Sequence, residues 1–226
     1  MAQHLDLEEQ EQLDQLKHFW KQYGNLVTWA LIAVLGTYAG WNFYHYWQNN
    51  QAAQAAVLYD EVERVARGGD VAKLDRVLGD MKDKYAKTTY AQQATLLAAG
   101  VYFDAGKTDE AKAALTWVAD TASDEGYKAV ARLRLAGVLA HTKAFEDAIK
   151  LLTGSFPPSF APLVSDRRGD VLMAMGKKKE AQAEYELAYK NFEESSDYRR
   201  LVEIKLNSLG VDPRMEPLPP SVEVKK

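Results

Sequence analysis

The sequence predicts an all-α protein: a single N-terminal transmembrane helix followed by a solenoid of helix pairs. Three observations carry that expectation. Residues 25–47, NLVTWALIAVLGTYAGWNFYHYW, hold no Asp, Glu, Lys or Arg. Beyond them, apolar residues recur at helical spacing between glycines, and three blocks can be laid over one another. No window shows the sustained apolar–polar alternation between turn dipeptides that marks strands.

Composition sets the frame. With 47% hydrophobic and 27% charged residues over 226 positions, the chain is ordinary for a folded protein of one or two domains. A net charge of −4 speaks against nucleic acid, whose binders carry a clustered basic face. The absence of cysteine excludes disulfides, thiolate metal sites, thiol catalysis and lipid attachment through sulfur. Residues 1–24 form a short acidic segment, with Asp6, Glu8, Glu9, Glu11 and Asp14 against Lys17 and Lys21. From Gln22 to Tyr59 the only titratable cation is His45.

The stretch from Leu26 to Tyr46 is 21 residues long, which as a helix spans about 31 Å, close to the ~30 Å of a bilayer's hydrocarbon core. Its middle has no polar stripe of the kind a surface helix shows. Trp20 and Tyr23 stand at one end, and Trp41, Phe43, Tyr44, Tyr46 and Trp47 at the other, where amphipathic rings meet the headgroups. A cleaved signal would have a basic start and small residues at its cleavage site, whereas this one begins acidic and continues YAGWNF. Residues 25–47 therefore read as an uncleaved signal anchor. Lys17 and Lys21 precede it, and no further Lys or Arg appears until Arg64 and Arg67. The positive-inside rule then puts residues 1–24 in the cytoplasm and everything after about residue 48 outside. Gly36 and Gly40 form a GxxxG pair, a candidate contact for another transmembrane helix and so for a homodimer.

Residues 48–67 are rich in helix formers and stop at Gly68-Gly69, and residues 70–86 resume with Val71, Leu74, Val77, Leu78 and Met81 at helical spacing. Thr89 and Gln92 have the spacing of a capping box. Three blocks then align. Ala99, Ala136 and Gly169 share a small column, and so do Ala111, Ala148 and Ala181 twelve residues on. Tyr102, Leu139 and Leu172 fill one large column; Leu115, Leu152 and Tyr185 fill another. The repeat intervals of 37 and 33 residues lie close to the 34 of tetratricopeptide repeats. Gly106 and Gly176 mark the turns within pairs. A closing helix is expected between Ser195, as its cap, and Gly210, so that the repeat domain covers 48–210. The Pro-rich tail, 211–226, is expected to be disordered.

Nothing in the sequence assembles catalytic chemistry. GVYFDAGKT places five residues between its glycines and ends a helix, so it is no phosphate-binding loop. His4, His18, His45 and His141 lack zinc-ligand spacing, and there is no nucleophile-elbow motif. No cofactor, metal or enzymatic activity is expected. What remains is surface. The first helix of each pair lines the concave side of such a solenoid, and Leu96, Phe103, Leu133, Arg134, Asp166, Arg167, Asp170 and Met173 are the candidate groove residues for a polypeptide partner. Leu96 and Leu133 fit a core role equally well.

The layout of acidic start, anchor ending in GWNFYHYW, QAAQAAVLYDEV and paired helices to about residue 210 resembles the YfgM family, an ancillary subunit of the bacterial SecYEG translocon. The resemblance implies a single-pass bacterial inner-membrane protein with a periplasmic tetratricopeptide-like domain. It also implies a place beside SecYEG and the membrane-anchored chaperone PpiD, assisting unfolded polypeptides as they emerge. The family's cytoplasmic N-terminus is associated with restraining a stress-response regulator, and the family has no catalytic residues to carry over. The competing expectation is a cell-envelope scaffold for another complex, in division or outer-membrane assembly.

Overall fold

The computed structural model describes residues 7–214; residues 1–6 and the tail from 215 onward, with the expectation of disorder there, lie outside the described residues. The chain divides into two compact units, Met1–Ala53 and Gln54–Lys226.

In the first unit the backbone belongs to helix α1, which runs Leu7–Gly68. Helix therefore continues past residue 48, where composition placed the end of the anchor, because no Gly or Pro interrupts the Ala- and Gln-rich stretch after Gly40. Trp29, Leu31, Val34, Leu35, Tyr38 and Trp41 are all more than half exposed. A core helix would have buried them; this one is long and apolar enough to cross a membrane. The hydroxyls of Thr28 and Thr37 donate to the Gly24 and Ala33 carbonyls at 2.7 and 2.8 Å, so neither needs water inside the bilayer. Open space surrounds Gly36 and Gly40.

The second unit starts from the end of α1, whose Ala55, Val62 and Val65 are buried. Then follow α2 (Val71–Tyr85), α3 (Thr89–Asp104), α4 (Thr108–Thr121), α5 (Glu125–His141) and α6 (Phe145–Leu152). After a short 3-10 turn at Pro158–Phe160 come α7 (Ala161–Ala174), α8 (Lys178–Asn191) and α9 (Asp197–Ser208). From α2 onward each helix packs on its successor, and α5 also packs on α7. Asp70, Thr88 and Asp124 cap α2, α3 and α5 by accepting from the backbone N–H three residues on. The cap of α3 is thus Thr88 and not Thr89, because Thr88 has the extended backbone (φ −87°, ψ 150°) a cap requires. Gln92 consequently lies buried instead of reaching back. Likewise Ser196, not Ser195, precedes α9, and its hydroxyl makes no capping bond.

The aligned columns meet in the core. Ala111, Ala136, Ala148 and Ala181 are fully buried, with Ala99 nearly so, which lets the helix backbones approach closely. The third repeat differs in both columns at once: Gly169 replaces alanine and Tyr185 replaces leucine. The two changes compensate, since a Cβ on Gly169 would collide with the Tyr185 ring. Turns repeat as well. Gly106 and Gly176 have φ of 74° and 78°, and the equivalent position in the middle repeat is Lys143, at φ 62°. That side chain holds a left-handed conformation that favours glycine.

Two stability measurements test this packing. Lys143→Gly should stabilise the protein by about 0.5–1 kcal/mol through relief of the left-handed backbone, read as a higher Tm; a lower Tm would show the lysine side chain to matter more. Gly169→Ala should cost about 1–3 kcal/mol by overpacking. Adding Tyr185→Leu should recover part of that loss, as the other two repeats already combine alanine with leucine.

Candidate partner-binding groove

The first helices of the three pairs, α3, α5 and α7, carry equivalent residues in register. Leu97, Arg134 and Arg167 form one column, Gly100, Gly137 and Asp170 another, and Phe103, Ala140 and Met173 a third. Between these helices lies an open cavity of about 450 Å³, to which Gly100, Phe103, Arg134, Gly137, His141 and Arg167 contribute. Three of the expected residues, Phe103, Arg134 and Arg167, are therefore brought together. Phe103 is fixed by an edge-on stack with His141, ring centroids 5.0 Å apart. The Arg134 guanidinium donates to the Leu96 carbonyl at 3.2 Å.

Gly100, Gly137 and His141 were not among the expected residues. The two glycines were findable, since they share the column of Asp170; the missing side chain of Gly100 deepens the cavity floor, and that of Gly137 makes way for the Arg167 guanidinium. His141 ends α5, as its sequence position indicates, yet its second role against Phe103 depends on how α3 meets α5.

The remaining expected residues do not line this cavity. Leu96 and Leu133 are only 6% and 8% exposed and belong to the hydrophobic core, so their assignment to the groove surface is corrected. Their column lies one residue from the arginine column, about 100° round the helix, which turns it inward. Met173 packs on the third core cluster, with Tyr185 and Val202. Asp166 is 2% exposed and Asp170 is half-buried. Both are engaged from α9: the Lys205 ammonium donates to Asp166 at 2.7 Å and to Asp170 at 2.6 Å. The Tyr185 hydroxyl donates to Asp170 at 2.9 Å, and Arg167 stands 3.5 Å from its other oxygen.

The titration of this cluster follows from its surroundings. Burial pushes the Asp166 carboxyl above the ordinary aspartate range, and the hydrogen bond from Lys205 only partly offsets it. Burial disfavours the Lys205 ammonium, but its bonds to Asp166 and Asp170 prevail and its pKa is raised. Burial, with the neighbouring Asp170, raises that of Tyr185, which stays a neutral donor. Among the described residues, no group of three or more His, Asp or Glu side chains is placed to hold a metal ion.

Comparison with known proteins bears on the whole of this architecture. A family model described as a tetratricopeptide repeat-like domain matches residues 17–211. The ancillary SecYEG translocon subunit of Neisseria gonorrhoeae is 36% identical over 214 residues, which cover 92% of this chain and 100% of that protein. The chain belongs to the family of ancillary SecYEG translocon subunits. The Escherichia coli member is 29% identical over 207 residues (90% of this chain, 97% of that protein), and the Haemophilus influenzae member 27% over 203 (90% and 98%). No solved structure matches the chain.

For this family member the α7–α8–α9 cluster has a measurable consequence. Lys205→Met leaves Asp166 buried without its cation and should lower stability by about 2 kcal/mol. That falls short of the roughly 3–5 kcal/mol of a fully buried pair, because Lys205 is 31% exposed. The pH dependence has a definite sign. An aspartate whose folded pKa is raised binds protons more readily when folded, so its contribution worsens as pH climbs above the ordinary value near 4. The contribution of Lys205 is complete below the ordinary lysine value near 10.4 and is lost as pH rises through its higher folded value. The variant's Tm deficit should accordingly be larger at pH 8 than at pH 5, because Asp166 takes up a proton more readily once its cation is gone. An equal deficit at both would contradict the pairing.

Proposed function

We propose that this protein is a single-pass inner-membrane component that accompanies the SecYEG translocon and presents its repeat domain to proteins emerging on the periplasmic side. The observation that carries the reading is the family match itself, which begins at Lys17 and so takes in the apolar helix as well as the repeats. The lysines before the span favour a cytoplasmic N-terminus. PpiD and unfolded polypeptides are the partners proposed for the repeat domain, with the α3–α5–α7 groove as the contact surface. Gly36 and Gly40 are proposed to receive a neighbouring transmembrane helix. Anchoring raises the local concentration of groove and client, so individually weak contacts suffice. No catalytic role is proposed.

Two readouts on one tagged strain test the proposal. Native membranes solubilised in mild detergent should yield SecYEG subunits together with the full chain, and recovery of division or outer-membrane assembly proteins instead would favour the scaffold reading. On intact inner membranes with the periplasmic face accessible, protease should remove a C-terminal tag and spare an N-terminal one; the reverse pattern would overturn the orientation and with it the role.

A further inference from the structure

The groove is not evenly charged. Its two arginines occupy the same column of successive repeats, while no carboxylate appears among the described residues that line the cavity. Nearby, Asp166 and Asp170 face Lys205 and Arg167, two anions against two cations. Arg134 is left over. It is exposed, has no carboxylate partner among the described residues, and donates only to a backbone carbonyl. Arg167 shares an aspartate that already accepts from a lysine and a tyrosine. Below Arg134, Gly100 leaves open space beside Phe103, while the Arg167 guanidinium lies against Gly137, so the floor is apolar and its rim cationic.

Resting on the groove reading above, we propose that this surface selects extended acidic segments: two carboxylates three residues apart, with an apolar side chain between them. The spacing follows from the repeat. Packed helices such as α5 and α7 stand about 8–10 Å apart, and an extended polyproline II segment, with about 3.1 Å rise and three residues per turn, returns positions one and four to the same face about 9 Å apart. Carboxylates at positions one and four of the segment therefore meet Arg134 and Arg167, the stronger bond forming at Arg134. The intervening apolar side chain drops over Gly100 onto Phe103. Charge-assisted pairing supplies the selectivity and the apolar seat supplies contact area.

The test uses the full chain in nanodiscs of zwitterionic lipid and labelled Gly/Ser peptides containing Glu-Phe-Ser-Glu or Gln-Phe-Ser-Gln, followed by fluorescence anisotropy. The glutamate peptide should bind about tenfold more tightly at low salt, an advantage that fades as sodium chloride is raised toward about 0.3 M. Arg134→Gln should erase the difference between the peptides. Gly100→Leu should weaken both about tenfold by filling the floor. A Cβ at Gly100 meets nothing within 4 Å and leucine is the better helix former, so the variant should keep its melting temperature, and lost binding with Tm unchanged would not come from unfolding. If both peptides bind alike but Gly100→Leu weakens them, the acidic preference is wrong and the groove reading stands. If neither peptide binds, or Gly100→Leu changes nothing, both are wrong.

Discussion

Close approach of paired helices is the constraint on which the repeat domain rests. Where Ala99 and Ala136 stand, any larger side chain would hold the helices of a pair apart, and the large columns beside them would lose their contacts. The third repeat shows how tightly the columns are coupled. It accepts a tyrosine only because the facing position has shed even its Cβ. The exchange also brings a hydroxyl to Asp170, so a packing change in one pair becomes the anchor point for a polar network with α9.

That network explains why the acidic end of the first-helix surface is closed while the middle stays open. Lys205 reaches from α9 into two aspartates that would otherwise face solvent and any ligand as anions. Toward α5 no comparable lysine stands among the described residues, and Arg134 remains available. One surface thus divides into a structural part, held by the terminal helix, and a cationic part over an apolar floor.

The first unit obeys a different solvent. Its side chains stay exposed where a water-soluble protein would bury them, and its threonines bond to their own helix instead of to water. Ala-rich sequence then carries the helix on to Gly68 without a signal to stop. Composition marks where the apolar run ends, but the backbone has no reason to register that boundary.

The sequence by itself determined the long apolar N-terminal helix, the helical class, the repeat columns and the glycine turns, because each depends on local composition, periodicity or a backbone angle that few residues adopt. It was also enough for the arginines and Phe103, which fall at register positions on the first helices. Only the tertiary structure decided which neighbouring column turned inward, burying Leu96 and Leu133, since one residue of helix is a third of a turn and the crossing of the partner helix chooses the side. It alone set Lys143 in a left-handed turn where the sequence has no glycine. It likewise joined Lys205 to aspartates 39 and 35 residues away. Such pairs have no sequence period to reveal them; they exist because packing brings distant helix faces within the length of one side chain.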